Sequence, residues 1–320
     1  MTTANNPDLK RKIWRVIQGL VWLIGLAIVM LLLLKPTVGI HAFWNVLIPV
    51  APALLVFLPG LWRNICPLGT TALLPRHLGF SRQKKISVKA HQRLGLGGLL
   101  LLLLLVPLRH LGFNLSGPAT AILVLSLTIF ATLLGTRYEW KSAWCSGLCP
   151  VHPVEKLYGH SPAATLGNAH CDACQVCVHV CPDSGQGEQF IHEQEKGGLR
   201  ALVPTLLIGG FPGYIWGWFQ VPDYEWSAGL SHLGEIYLWP WAGLADSLAV
   251  YLLARSMVQS SQKRTLAKTF VTLAVACYYW FRLPALFGFG LIEGDGMLVD
   301  LSGLLPQSFP AILRIATVLC

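Results

Sequence analysis

Residues Ile17–Leu34 read IQGLVWLIGLAIVMLLLL, an apolar run without a single charge. At a helical rise of about 1.5 Å per residue the run approaches the ~30 Å hydrocarbon core of a bilayer. Lys10, Arg11, Lys12 and Arg15 lie before it and Lys35 follows it. The run exceeds the apolar core of a signal peptide and no small-residue cleavage site follows, so it reads as a membrane span. Further apolar stretches lie near His41–Leu61, Leu94–His110, Pro118–Gly135, Ala201–Phe219, Ile236–Ala254, Thr269–Gly288 and Leu301–Val318. Gly209, Gly210, Pro212 and Gly213 interrupt the fifth, and Pro306 and Pro310 fall in the last, which could lie at the interface instead. Gly95, Gly97 and Gly98 run straight into the third and read as helix packing. Composition agrees. The 320 residues are 54% hydrophobic and only 12% charged, with mean hydropathy +0.56, against roughly 25% charged in a soluble domain. The expected fold is all-α and polytopic, with about seven or eight transmembrane helices.

The net charge of +9 is less informative than its distribution. Arg63, Arg76, Arg82, Lys84, Lys85, Lys89 and Arg93 follow span two. Arg137, Lys141, Lys156, Lys196 and Arg200 follow span four, and Arg255, Lys263, Arg264 and Lys268 follow span six. The alternate connections carry only Lys35 and Arg109, or acids such as Asp223, Glu225, Glu293 and Asp295. Basic segments mark the cytoplasmic side, so the N-terminus and residues 137–200 are expected there. Basic residues that flank apolar spans, with no basic soluble face, argue against nucleic-acid binding.

Seven of the nine cysteines fall in the basic segments. Cys171, Cys174, Cys177 and Cys181, followed by Pro182, form C-x-x-C-x-x-C-x-x-x-C-P, the ligand run of bacterial ferredoxins. Three thiolates at this spacing wrap one face of a [4Fe–4S] cubane, and the cysteine before proline usually serves another cluster. A zinc knuckle is the competing reading, but zinc motifs more often pair separated C-x-x-C units. Cys145 and Cys149 form a second C-x-x-x-C-P ending at Pro150, and Cys66-Pro67 ends a shorter one. Each follows a pair of spans, which reads as a partial internal repeat. In register with Cys145, the first loop has Trp62.

Membrane spans punctuated by Cys-Pro loops and then a ferredoxin run resemble the NapH/NosR-type membrane iron–sulfur proteins, over roughly residues 13–182. The resemblance implies an electron carrier of the bacterial cytoplasmic membrane, associated with quinol oxidation for periplasmic reductases. The spans and cysteine runs divide the chain into three expected regions: a four-helix transmembrane region with a cytoplasmic Cys-Pro loop (1–136), a small cytoplasmic ferredoxin-like iron–sulfur segment (137–200) and, outside the resemblance, a C-terminal transmembrane region (201–320). The usual second ferredoxin run is absent here.

A cubane needs four thiolates. Cys171, Cys174 and Cys177 supply three, with Cys149 or Cys181 as the fourth. Cys181, Cys145 and Cys66 are left for a second metal site, which His152, His170 or His179 could complete. Alternatively Cys181 closes the first cluster and Cys66, Cys145 and Cys149 are structural. Cys277 and Cys320 read as packed thiols. Acidic residues of the segment, among them Glu139, Asp172 and Glu188, would lower a cluster potential. Expected partners are the lipid bilayer, a cytoplasmic ferredoxin or flavoprotein, and a quinone or a membrane or periplasmic redox subunit. Delivery of copper during oxidase assembly is a rival function, as is a transporter with a regulatory cluster.

Two charges sit inside predicted spans, Asp246 and Arg282. Their depths differ by about one helical turn, so an ion pair is expected. It either locks the helices or forms a quinone or proton site walled by Tyr278, Tyr279, Trp280 and Phe281. His41 and His110 are the pair to consider for haem.

Overall fold

The computed structural model describes residues 7–139, 141–159, 164, 166, 189–195 and 199–319. Among these residues the chain is all-helical, without a strand. The helices are α1 (Pro7–Leu34), α2 (Pro36–Phe57), α3 (Pro59–Ile65), α4 (Pro67–His77), α5 (Val88–Leu108), α6 (Gly117–Arg137), α7 (Val151–Tyr158), α8 (Gln189–Glu195), α9 (Leu199–Trp218), α10 (Leu233–Met257), α11 (Lys263–Leu286) and α12 (Phe309–Leu319). The middle of α2, His41–Leu47, is wound as a π-helix, and a π turn covers Trp144–Leu148.

Among the described residues six helices are long and apolar enough to cross a membrane: Lys12–Leu34, Pro36–Phe57, Lys89–Leu108, Gly117–Arg137, Leu233–Met257 and Lys263–Leu286. Their outer faces are bare: Leu20, Leu23, Ile24 and Met30 of α1 and Ile122, Ile129 and Leu133 of α6 are exposed. Contiguous apolar surface of this kind requires lipid. The eighth expected span fails. Only Phe309–Leu319, 11 residues, is helical there; at about 1.5 Å per residue that is near half a bilayer core.

The chain divides into two units. The first comprises Met1–Lys35, Ala53–Leu102 and Ala121–Gln189. Here α1 packs on α3 and α4. Trp22 Nε1 donates to Thr71 Oγ1 at 3.0 Å, and Gln18 Nε2 donates to the Asn64 carbonyl at 2.9 Å. Close approaches are made by glycine. A methyl on Gly135 of α6 would strike the Ala72 carbonyl of α4, and one on Gly98 of α5 would lie 2.7 Å from the Gly147 carbonyl. Gly97 and Gly98 thus pack on the turn that carries Cys145 and Cys149, while Gly95 faces open space.

The second unit comprises Pro36–Pro52, Leu103–Thr120 and Phe190–Cys320. Its centre is the crossing of α9 on α10. The expected interruption of span five does not occur: Leu199–Trp218 is one continuous helix containing Pro204 and Pro212. Gly209, Gly213 and Gly217 recur every four residues and fall on one helix face. A Cβ on Gly213 would overlap the Gly243 carbonyl, and one on Gly217 the Trp239 carbonyl. Small residues at this spacing let two backbones touch, the usual device for packing helices in lipid. The glycines therefore join α9 to α10, and the motive for a transporter with a broken helix disappears. Pro107 removes the amide that would bond the Leu103 carbonyl of α5; Tyr214 Oη donates to that carbonyl at 3.0 Å instead.

Candidate functional site

The two Cys-Pro loops lie in the first unit, outside the six candidate spans. Pro67 occupies the first position of α4 and Pro150 the N-cap of α7, places where a missing N–H is harmless, and the cysteine before each holds an extended backbone. Cys66 has φ −54° and ψ 119°; Cys149 has φ −59° and ψ 122°. The amides two and three residues on face the sulfur in both cases, Leu68 and Gly69 for Cys66, Val151 and His152 for Cys149. Helix N-terminal amides favour a thiolate.

The loops differ in the turn before the cysteine. The Cys66 amide donates to the Trp62 carbonyl at 3.0 Å, an α turn, whereas the Cys149 amide donates to the Trp144 carbonyl at 2.9 Å, a π turn one residue longer. By this bonding Trp62 corresponds to Trp144, not to Cys145 as the Cys-Pro register suggests. Cys145 is the residue that the wider turn adds. Sequence spacing could not show this, because a π insertion leaves no gap in an ungapped register.

The three cysteines lie near one another. The Sγ of Cys145 and the Sγ of Cys66 lie 3.5 and 4.0 Å from where a Cβ on Gly69 would be. Cys145 and Cys149 pack beside the buried cluster of Ala72, Ala131 and Trp144. Burial raises all three thiols. Lys141 and the facing amides pull Cys66 back down, the Cys145 thiol stands well above the ordinary thiol value, and burial with Cys66 nearby pushes Cys149 up to about 12. Without a metal these are neutral thiols at neutral pH, and binding one must release protons.

Charged residues brace the loops. Arg63 pairs with Glu155, both largely buried. The Lys141 ammonium, also buried, donates to the Arg63 carbonyl at 2.6 Å and acts on both Cys66 and Cys145. Burial pushes the Glu155 carboxyl up, but His152 and Arg63 outweigh it and hold the group below its usual value. His152 Nδ1 stands 3.8 Å from Glu155 Oε2 and is buried without a hydrogen-bond partner. Burial lowers the His152 ring to about 4, so it is neutral at pH 7. Lys141 and the Arg63–Glu155 pair were hidden in the sequence among residues that positive-inside anchoring already explained. The one available signal was a basic residue a few positions ahead of each cysteine loop.

Among the described residues no group of three or more His, Cys, Asp or Glu converges tightly enough to hold a metal ion. Cys171, Cys174, Cys177 and Cys181, with His170 and His179, lie outside the described residues, as does Cys320. The donors that are described nevertheless suit an anionic iron–sulfur cluster: amides aimed at sulfur, a buried ammonium, and an imidazole nitrogen with nothing else to bind. Cys277 is partly buried within α11.

Two expectations for the second unit are corrected. Arg282 does not pair with Asp246. Its Nη2 donates to the Trp44 carbonyl and to Asn45 Oδ1, each at 2.7 Å, while Asp246 is exposed on α10. The π segment of α2 supplies both of these acceptors, which sequence depth could not reveal. The haem pairing also fails. His110 Nδ1 faces Asp223 Oδ1 at 2.7 Å and Nε2 faces the Trp218 carbonyl at 3.2 Å, so neither nitrogen is open to iron. Comparison with protein-family models, with curated proteins and with solved structures finds no match to this chain.

Proposed function

We propose that the chain is a membrane-bound iron–sulfur electron carrier of the bacterial cytoplasmic membrane, with its N-terminus and cysteine loops on the cytoplasmic side. Cys171, Cys174 and Cys177 bind a [4Fe–4S] cluster, with Cys149 or Cys181 as fourth ligand. Cys66 and Cys145, with His152, are donors for a second metal site. The observation that carries this reading is that Cys66, Cys145 and Cys149, from loops about eighty residues apart, lie near one another with backbone amides and the Lys141 ammonium directed at their sulfurs, surroundings that favour thiolate. A bound cluster supplies one-electron chemistry. The chain's own residues set the terms. Amides of α4 and α7 and the Lys141 ammonium offset thiolate charge, and Trp144 with Ala72 and Ala131 keeps water from Cys145 and Cys149. Electrons pass between a cytoplasmic ferredoxin or flavoprotein and a quinone or a membrane or periplasmic partner subunit. The basic loop Arg76–Arg93 would attract an acidic carrier.

The test is anaerobic purification of the full chain with iron and acid-labile sulfide quantitation and EPR of the reduced protein. Close to four iron and four sulfide or more per chain, with a reduced-cluster signal lost in Cys174→Ser, is the expected result. Stoichiometric zinc or copper with no iron overturns it, and copper would favour the assembly function.

A further inference from the structure

The second unit encloses a cavity of about 280 Å³, close to the lower end of ligand-site volumes. Trp44, Trp218, Phe219 and Phe281 give it aromatic walls. Its titratable lining consists of His41, Arg109, His110, Asp223, Arg282 and Asp295.

Neither guanidinium among these residues is bonded to a carboxylate. Arg282 is 4% exposed. Its Nη2 is bonded as described above, its Nη1 crowds Gly296, which needs its positive φ of 67°, and its Nε is buried with no partner. The Arg109 guanidinium lies 3.9 Å from the ring centre of Trp44 and 4.9 Å from that of Trp218, with Nε donating to Asn114 Oδ1. His110 faces Asp223 through Nδ1 and the Trp218 carbonyl through Nε2. Asn45 accepts from Arg282 through Oδ1, so its amide nitrogen donates to His41 Nδ1, which leaves that ring neutral. Asp223 is engaged by His110 and Asn114, and Asp295 Oδ2 accepts the Asp223 amide. Burial and the Asp223 charge raise Asp295 to about 6, so mild acid leaves the guanidinium charge in excess. A buried cation without a counter-charge is strongly disfavoured.

We propose that this cavity binds a singly charged oxyanion, a carboxylate or a phosphodiester, between Arg109 and Arg282. Guanidinium groups suit both anions by bidentate geometry, and the aromatic walls favour a ligand with an apolar body. A free organic carboxylate and the headgroup of an anionic lipid share this chemistry. The site is independent of any metal, so it stands or falls apart from the electron-carrier reading.

The experiment uses the full chain in uncharged detergent at fixed chloride, titrated with sodium benzoate by calorimetry at pH 7 and pH 5.5. A parallel arm compares melting in phosphatidylcholine nanodiscs with and without phosphatidylglycerol. We expect saturable binding of one benzoate, weakened at least about tenfold by Arg109→Gln, the loss of one charged contact. Affinity should rise as pH falls through about 6, because protonation of Asp295 removes a repelling charge. Asp295→Asn should therefore tighten binding roughly tenfold at pH 7 and flatten the pH dependence, a gain that misfolding cannot mimic. A phosphatidylglycerol-dependent rise in melting temperature that Arg109→Gln abolishes, without benzoate binding, assigns the oxyanion to lipid. No response in either arm, an equal response to added chloride, or binding of a neutral quinone analogue but not of benzoate overturns the proposal.

Discussion

The loop ending in Cys66-Pro67 and the loop ending in Cys149-Pro150 share one local design. Each places an extended cysteine and then a proline at the start of a helix, Pro67 inside it and Pro150 as its N-cap, and turns the second and third amides toward its sulfur. They part at a single backbone bond, to Trp62 four residues back in the first and to Trp144 five residues back in the second. The wider turn adds one residue, and that residue is Cys145. A π turn has poorer bonding than an α turn and persists where function or packing holds it. Here Gly98 and Leu94 of α5 press on Gly147, and the Ser146 hydroxyl donates to the Ser142 carbonyl at 2.8 Å. The lesson is that the second loop is built to carry two sulfurs and the first to carry one.

Exchange of single sulfurs should separate the loops most. Cys149→Ser is expected to remove at least half of the iron from anaerobically purified protein, and Cys66→Ser to leave most of it; iron quantitation with EPR decides, and the reverse order would break the comparison. Next comes the brace between the loops. Glu155→Gln strands the Arg63 charge and should destabilise the first unit by about 3–5 kcal/mol, as for other buried pairs, seen as an earlier thermal transition in detergent. The folded Glu155 carboxyl lies below its usual value. Its contribution is therefore complete above the unfolded value of about 4.3 and fades as pH falls through the lower folded value. Wild-type melting should drop in that acid window, and the Glu155→Gln protein should show less of the drop.

Smaller effects test the packing behind each loop. Gly98→Val drives a side chain into the Gly147 carbonyl and should cost about 1–3 kcal/mol, with loss of the Cys145-dependent metal signal before loss of fold. Gly25 of α1 faces Pro67 with 3.1 Å available to a Cβ, so Gly25→Ala should shift melting less than Gly98→Val. The smallest change is expected from Trp22→Phe, which removes the bond to Thr71 behind the first loop at about 1 kcal/mol. An equal or larger effect than that of Gly98→Val would mean that the first loop is the more tightly held.

Much of the architecture was legible because lipid imposes long uncharged helices, and Ile17–Leu34 announces one without help from any neighbour. The Cys-Pro pairs were equally plain, since proline after cysteine starts a helix by its fixed φ alone. What remained hidden depends on contacts between segments distant in sequence. Gly209, Gly213 and Gly217 look like a break until α10 lies against them. Arg282 looks like a partner for Asp246 until the π segment of α2 presents Asn45 and the Trp44 carbonyl. His110 looks like a ligand until Asp223 and Trp218 take both its nitrogens. The sequence by itself determined that the chain is built of long apolar helices and which residue types head the cysteine loops, because those follow from solvent and local backbone chemistry. The tertiary structure alone decided which buried polar groups meet, because in an apolar interior each charge takes the partner that packing brings nearest.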